Sequence, residues 1–183
     1  MAETPANDAG VLVAARGGSS EAGRRIVDEH GPSMLRTAWH VLGRYGGSDA
    51  DDVVQEALIA ALTTPALPQG DLGAWLRAIT VRKALDFVRG RRRQREREEE
   101  FAATHPGAAT TDPSRPADVL ALREALARLA PADRAVLVLV DLEGHSMAEA
   151  ATALGTTNVA MRLRAARARR KLAALLKRLE VKR

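Results

Sequence analysis

Apolar residues recur along most of this chain at the three- and four-residue spacing of α-helices. The clearest example lies in residues 49–63, where six apolar residues form one helical stripe: Val53, Val54, Ala57, Leu58, Ala61 and Leu62. Glycine and proline mark the predicted breaks between helices. Helices are predicted at residues 11–16, 20–29 and 33–45, separated by Gly17-Gly18 and Gly31-Pro32, and another runs from a cap at Asp71 to about Arg93.

The pattern changes between residues 94 and 117. An alternating Arg/Glu stretch gives way there to a segment with three prolines and little apolar content, which is typical of a flexible linker. Helical periodicity resumes at residues 117–130 and again after Pro131. We therefore predict an all-α protein of two helical domains, residues 8–93 and 118–180, joined by a flexible linker at residues 94–117.

The second domain contains a helix-turn-helix pattern. Ser146 and Glu149 form a capping box at the start of a short helix, and Gly155 provides a tight turn. A long helix then begins near Asn158, with apolar residues on one side and arginines mainly on the other. This order is typical of DNA-binding helix-turn-helix units. An ordinary helical hairpin with a solvated basic face has the same pattern.

Charge strengthens the case for a polyanionic partner. The chain has 28 Lys and Arg against 23 Asp and Glu, and residues 82–97 and 162–183 together hold 18 of those 28 cations. Two separated basic stretches of this density are typical of nucleic-acid binding, although solvated helix faces would also carry them. With only five aromatic residues, a broad base-stacking platform is not expected.

Several functional classes are excluded or disfavoured by composition. The chain has no cysteine, which excludes disulfides, thiolate metal sites and a cysteine nucleophile. Its four histidines lack metal-ligand spacing, and no nucleophile–base pair can be assembled, so we expect no enzyme activity, no metal and no cofactor. Neither a membrane-spanning apolar run nor a signal peptide is present, which predicts a cytoplasmic protein without membrane insertion.

Two motifs taken together resemble a known family. Residues 49–57, DADDVVQEA, resemble the D-A-E-D-x-x-Q-E segment of bacterial sigma-70-type factors, and Gly73–Ile79, Ala84-Leu85-Asp86 and Arg91–Arg93 resemble the segment that follows it. Residues 129–137 and 154–169 resemble the sigma-4 helix-turn-helix. In order and spacing the chain is similar to extracytoplasmic-function (ECF, group 4) sigma factors, which implies a sigma-2 helical bundle followed by a sigma-4 domain.

The resemblance implies that the first domain binds core RNA polymerase. In the family, one face of the D-x-x-Q-E helix contacts the coiled-coil clamp of the largest polymerase subunit. The matching positions here are Asp52, Gln55, Glu56 and Ile59. An acidic face with one apolar anchor suits a cationic coiled coil. Helix capping accounts for Asp49, which lies in the first turn.

The resemblance also implies contacts with the promoter −10 element. The loop after Pro65 corresponds to the family's base-capture loop, and Thr64, Leu67 and Gln69 are its matching residues. On the next helix Arg82, Asp86, Arg89 and Arg93 share one face beside the DNA backbone, with Arg91 and Arg92 extending the contact. Arg82 departs from the family, which usually has Asn there, so −10 preference is expected to differ.

The recognition helix is expected to read the −35 element. It begins near Asn158, and the residues matching the family's groove-facing positions are Arg162, Leu163, Ala166 and Arg167. Arginine suits the guanine edge, and the two apolar side chains suit a thymine methyl group. Ala165-Ala166 departs from the larger pair that many relatives carry. Four further cations serve as phosphate contacts or as packing neighbours: Arg164, Arg169, Arg170 and Lys171.

The predicted function is therefore that of an RNA polymerase sigma factor. Its implied partners are core RNA polymerase, through the largest-subunit clamp and the flap, promoter DNA, and an anti-sigma factor. A stand-alone helix-turn-helix regulator with a helical oligomerisation domain is the alternative. Such a regulator has no need for the acidic face at Asp52, Gln55 and Glu56.

Overall fold

Helices make up all the regular structure in the part of the chain that the structure describes. The computed structural model describes residues 5–43, 47–68, 70–99 and 117–180. The helices are α1 Pro5–Arg16, α2 Ser20–Leu42, α3 Ser48–Thr63, α4 Leu72–Glu99, α5 Ala117–Ala127, α6 Pro131–Leu137, α7 Met147–Ala153 and α8 Asn158–Glu180, with a π-helical segment at Val138–Leu142. The all-α prediction is confirmed.

The predicted break at Gly31-Pro32 is wrong, because α2 runs without interruption from Ser20 to Leu42. Proline removes one backbone donor and crowds the carbonyl four residues earlier, which usually ends a helix. Here Ile26 on one side of Pro32 and Met34 on the other are both buried in the same core, so packing on both sides outweighs the lost hydrogen bond. The helix ends instead at Gly43, whose φ of 61° is left-handed and favours glycine.

α4 is longer than the sequence pattern indicated. It was predicted to end near Arg93, but it continues to Glu99, so the predicted linker begins inside a helix. Arginine and glutamate are good helix formers, so the composition of this stretch favours a helix. The rest of that linker, residues 100–116, lies outside the described residues, and the domain boundaries stay predictions.

The first four helices form a bundle, which we call the first module (residues 5–99). α2 and α3 both pack on α4, and α1 packs mainly on α2. Its own core contains Leu12, Ile26, Met34, Leu72 and Leu76. Asp71 caps α4 as predicted, since its carboxylate accepts a hydrogen bond from the Ala74 amide at 2.5 Å.

The remaining helices form the second module (residues 117–180). α6 packs on α8, and α5 and α7 also contact α8. The predicted capping box is present. The Ser146 and Glu149 side chains each accept a hydrogen bond from the backbone amide of the other residue. Gly155, with a φ of 62°, makes the turn into α8. At the start of α8, the Thr157 hydroxyl accepts a hydrogen bond from the Ala160 amide at 3.2 Å.

The two modules are packed against each other. α6 contacts α2 and α4, and α7 contacts α4. One apolar cluster therefore spans both modules, joining Val41, Leu42 and Val81 of the first to Val136 and Leu139 of the second. Met161 of α8 lies in the same cluster and is fully buried.

Substitutions on two sides of α8 test which side of this helix faces the core, through their effect on the free energy of unfolding. We expect Met161→Ala to lower the free energy of unfolding by about 2–5 kcal/mol, because it leaves a cavity in the core. Leu163→Ala, two residues away and 59% exposed, should change that free energy by less than about 0.5 kcal/mol. Denaturant unfolding followed by circular dichroism measures both. Equal effects at the two positions would contradict the orientation of α8.

Candidate nucleic-acid and protein-binding surfaces

The acidic face of α3, made of Asp52, Gln55, Glu56 and Ile59, is exposed along its length. The opposite side of the helix is buried through Ala50, Val53, Ala57 and Ala61. Burial of those small residues holds the helix close to α4 and turns the four predicted residues outward. The structure thus places all four on one accessible surface.

The apolar part of this face is larger than predicted. Ile59 is 54% exposed, and Leu62, three residues further along, is 38% exposed. The sequence pattern assigned Leu62 to the buried stripe, but its side chain lies at the edge of that stripe. Because residues three apart are neighbours on a helix, Ile59 and Leu62 form one exposed apolar pair beside the acidic residues.

Two ion pairs join α3 to α4. Lys83 lies 3.7 Å from the Glu56 carboxylate, and Arg91 lies 3.5 Å from Asp49. Asp49 lies in the first turn of α3 as predicted, where an acid suits the helix dipole, but the cap position is Gly47 and no side chain makes a capping hydrogen bond there. Asp49 is held instead by Arg91, whose guanidinium also lies over the Phe87 ring, 5.3 Å from its centroid.

The predicted −10 residues of α4 form an exposed row. Arg82, Asp86, Arg89 and Arg93 all face away from the buried Val81, Leu85 and Val88 side. Asp86 pairs with Arg89 at 3.2 Å, which partly neutralises that cation. Arg91 and Arg92 are exposed beside the row, although the contact to Asp49 directs Arg91 toward α3.

The loop between α3 and α4 is tied to the N-terminal helix by Arg16. Its guanidinium donates to the Ala61 carbonyl at 3.2 and 2.8 Å and to the Ala66 carbonyl at 2.8 Å. Arg16 therefore holds the end of α3 and the start of the loop together. Sequence reasoning missed this role, because a basic residue before Gly17-Gly18 is also an ordinary helix end and carries no signal of a contact 45 residues away.

The predicted pocket residues of this loop are only partly described. Thr64 ends α3, with its backbone amide bonded to the Ala60 carbonyl. Leu67 is 48% exposed, so an apolar side chain stands in solvent next to the carbonyl that Arg16 holds. Gln69 lies outside the described residues.

The recognition helix α8 separates its faces as the pattern predicted. Met161, Ala165 and Ala168 are fully buried, and the opposite side exposes Asn158, Arg162, Leu163, Ala166 and Arg167. Val159, which was not predicted, is 69% exposed one turn before Leu163. An apolar residue exposed at the start of a recognition helix can contact a thymine methyl group, as Leu163 can.

The sequence predicts two alternative roles for four cations of α8, as phosphate contacts or as packing neighbours. Three of these four pair with carboxylates of the same module. Arg169 donates twice to the Asp141 carboxylate, at 3.1 and 2.6 Å, and this hydrogen bonding raises the pKa of Arg169. Lys171 lies 2.7 Å from Asp133 and Arg164 lies 3.9 Å from it. These three residues therefore contact neighbouring helical segments of their own module, whereas Arg162 and Arg167 lie on the exposed side of α8.

Two further observations bear on other kinds of site. Among the described residues, no three of His, Asp or Glu come together as metal ligands would. Across those same ranges, no helix has both the length and the apolar content to span a membrane.

Comparison with known proteins agrees with the two-part organisation. The family model for sigma-70 region 2 matches residues 26–94, and that for sigma-70 region 4 matches residues 120–172. The first covers most of α2, α3 and α4, and the second covers the helix-turn-helix. Both matches occur in the order that the sequence motifs predicted.

Individual relatives match across most of the chain. The probable ECF RNA polymerase sigma factor SigI of Mycobacterium tuberculosis is 35% identical over 151 residues, 78% of this chain and 51% of SigI, so this chain spans about half the length of that relative. The ECF RNA polymerase sigma factor SigM of the same species is 33% identical over 179 residues, 93% of this chain and 85% of SigM.

A solved structure extends the agreement to the fold. CnrH, in complex with the cytosolic domain of CnrY, has a TM-score of 0.64 and 30% identity, covering 93% of this chain and 97% of CnrH. Two family models in sequence order, a relative matched over most of its length and this structural similarity lead to one conclusion. The chain belongs to the ECF sigma factors of the sigma-70 family.

Proposed function

We propose that this protein is a promoter-specificity subunit, which binds core RNA polymerase and directs initiation by recognising −35 and −10 elements. The observation that carries the proposal is that one chain exposes both an acidic, amide-bearing face on α3 and a cationic recognition helix. A stand-alone helix-turn-helix regulator would need only the second. Sigma factors are non-enzymatic initiation factors, so the proposed role includes no catalysis, and its place is the cytoplasm, with the polymerase.

The polymerase contact is proposed to use the acidic face and the exposed Ile59–Leu62 pair. Exposed carboxylates attract a cationic partner and speed association, and desolvation of an apolar anchor supplies affinity. The clamp is the proposed partner of the first module, and the flap is the proposed partner of the second. An anti-sigma factor is the third proposed protein partner, supported by the family resemblance and by the solved complex of CnrH with a second protein.

For the −35 element, the proposal assigns base contacts to Arg162 and Arg167 with apolar contacts from Leu163 and Ala166. Asn158, at the start of the same helix, is placed against the DNA beside them. For the −10 element, the α4 row with Arg92 contacts phosphates, and Thr64, Leu67 and Gln69 line the base-capture loop. Asp86 within that row repels phosphate, so the cations beside it carry the attraction.

Run-off transcription with core polymerase and a promoter library tests the function as a whole. We expect the protein to convert core enzyme, which alone selects no start site, into an enzyme that initiates at one class of promoters. A chain that neither co-purifies with core polymerase nor changes its start-site choice would instead be the stand-alone regulator.

Charge reversal tests the polymerase face. We expect Asp52→Lys with Glu56→Lys to weaken affinity for core polymerase about tenfold or more, equivalent to roughly 1.4 kcal/mol, because attraction becomes repulsion. Affinity is measured by titration with labelled protein, and circular dichroism checks the fold. Asp28→Lys is the control, since Asp28 is an exposed acid on α2 rather than α3. Unchanged affinity in the double variant contradicts the assignment.

Alanine substitution tests the recognition helix. We expect Arg162→Ala and Arg167→Ala each to lose about 1–3 kcal/mol of binding free energy on the selected −35 sequence and to relax selectivity there. The measurement is transcription from a library randomised at −35. Lys177→Ala, on an exposed later turn of the same helix, should leave selectivity unchanged. An equal loss on all sequences would mean that the arginines contact phosphate.

Removing the Arg16 guanidinium tests the base-capture loop. We expect Arg16→Met in the polymerase complex to weaken binding of a single-stranded −10 oligonucleotide about threefold to tenfold, since the loop loses hydrogen bonds worth about 0.5–1.5 kcal/mol each. Fluorescence anisotropy measures it, and binding of a duplex −35 fragment should not change. Arg24→Met, an exposed arginine of α2, is the control. An unaltered oligonucleotide affinity would contradict the assignment of this loop.

A further inference from the structure

The exposed side of α8 carries the two most exposed large apolar side chains of the described residues. Val159 is 69% exposed and Leu163 is 59% exposed, ahead of Ile59 at 54%. Single exposed apolar residues are ordinary on a protein surface. Val159 and Leu163, however, are four residues apart on one helix, so their side chains are neighbours on successive turns. Two adjacent apolar side chains that point away from the core indicate a contact surface.

Val159 lies at the centre of the exposed side of α8. Each residue of an α-helix turns about 100° around the axis, which places Val159, Leu163 and Ala166 within about 60° of one another and opposite the buried Met161. We call these three residues the apolar strip. Val159 is the second residue of α8, which begins at Asn158. In helix-turn-helix units the N-terminal residues of the recognition helix contact the base edges, so Val159 occupies a position suited to reading a base.

The first turn of α8 holds the Val159 side chain in a defined direction. The Thr157 hydroxyl accepts a hydrogen bond from the Ala160 amide at 3.2 Å, and the Thr157 carbonyl accepts one from the Met161 amide at 2.9 Å. Met161 itself is fully buried, which fixes the rotation of this turn. A valine in a helix strongly prefers one χ1 rotamer. Little side-chain entropy is therefore lost when Val159 meets a partner.

The surroundings of the apolar strip are cationic. Arg162 and Arg167 lie on either side of it, and Arg170 is exposed one turn after Ala166. Residues 158–179 contain no Asp or Glu. A partner must therefore be anionic around the strip and apolar against it. Duplex DNA meets both conditions, because phosphates line the major groove and the thymine C5-methyl group is an apolar group on its floor.

The spacing of the strip indicates how many thymines it can contact. The Cβ atoms of Val159 and Leu163, four residues apart on one helix face, are about 5–6 Å apart, and successive base pairs are stacked about 3.4 Å apart. The two side chains can therefore meet methyl groups one or two base pairs apart. Ala166 has only a methyl group as its side chain, so it adds no bulk that would hold the helix away from the bases.

We propose that Val159 is a specificity-determining residue for the −35 element. Together with Leu163 it packs against the methyl groups of two thymines that lie one or two base pairs apart, beside the bases contacted by Arg162 and Arg167. This inference rests on the proposed function. It adds a residue to the groove-facing set and names the bases that the apolar strip selects.

Replacement of thymine by deoxyuridine tests the proposal, because it removes only the C5-methyl group. The full chain is assembled with core polymerase, and its affinity is measured by competition between promoter duplexes that share one −10 sequence and carry the selected −35 sequence. We expect deoxyuridine at two positions, one or two base pairs apart, to weaken binding about fourfold each. That factor corresponds to the ~0.8 kcal/mol of one buried methylene-sized group. Deoxyuridine elsewhere in the −35 element should change affinity less than about 1.5-fold.

A double-mutant cycle assigns each thymine to its side chain. We expect Val159→Ala to weaken binding of the thymine duplex about fourfold and to abolish the effect of deoxyuridine at one of the two positions only. Leu163→Ala should abolish the effect at the other. Alanine is a better helix former than valine, so α8 is retained, which circular dichroism checks. Val119→Ala, at an exposed valine of α5, is the matched control and should keep both effects.

Three results would overturn the proposal. One is a selected −35 sequence without two thymines at this spacing. Another is an equal loss on deoxyuridine substitution in Val159→Ala and in the unmodified protein. The third is a Val159→Ala variant that binds core polymerase more weakly but binds the promoter unchanged, because the strip would then be a protein contact. A chain that selects no −35 sequence at all would overturn the proposed function itself.

Discussion

Burial of one side of each long helix decides which residues this protein can present to a partner. α3 buries small residues against α4, and α8 buries Met161, Ala165 and Ala168 in the shared core. Because side chains follow the 3.6-residue repeat of the helix, burial of one side determines which residues the opposite side exposes. Packing therefore determines which residues lie on the acidic face of α3 and on the exposed side of α8. Substitutions at these exposed positions can change the chemistry of the surface without altering the fold.

Ion pairing then divides the cations of the molecule into two groups. Arg164, Arg169 and Lys171 are held by Asp133 and Asp141 on the rear of α8. Those carboxylates orient the recognition helix on α6 and the π-helical segment. The paired cations contribute less to the positive potential around α8, so that potential depends more on Arg162 and Arg167. Composition alone counts both groups equally.

Sequence patterns predicted the helical class, the helix-turn-helix and the exposed faces because these depend on local periodicity and capping. Ser146, Asp71 and Gly155 act within a few residues of their own position, and each was identified correctly. The failures involve contacts that are distant in sequence. Pro32 is tolerated because residues on both sides of it are buried together, and Asp49 is paired with a residue 42 positions away.

The two long-range arginine contacts that the sequence did not reveal share one property. Arg16 and Arg134 each donate to backbone carbonyls, which every residue has, so no complementary side chain marks the partner position. An arginine in a basic chain is also common. Only the fold shows that one guanidinium meets the end of α3 and the other meets the end of α2. Leu62 was misassigned for a related reason, since its place at the edge of the apolar stripe is decided by packing.

The interface between the two modules combines a buried charged group with an apolar cluster. A buried guanidinium is costly to desolvate, and hydrogen bonds to neutral carbonyls return less than a paired carboxylate would. When the modules separate, Arg134 and Glu143 regain water, while Val136 and Leu139 are exposed at a cost of about 25 cal/mol per Å² of apolar surface. The apolar cost favours packed modules, whereas polar hydration favours separated ones. Because these terms oppose each other, the interface is less stable than its buried apolar area alone would make it.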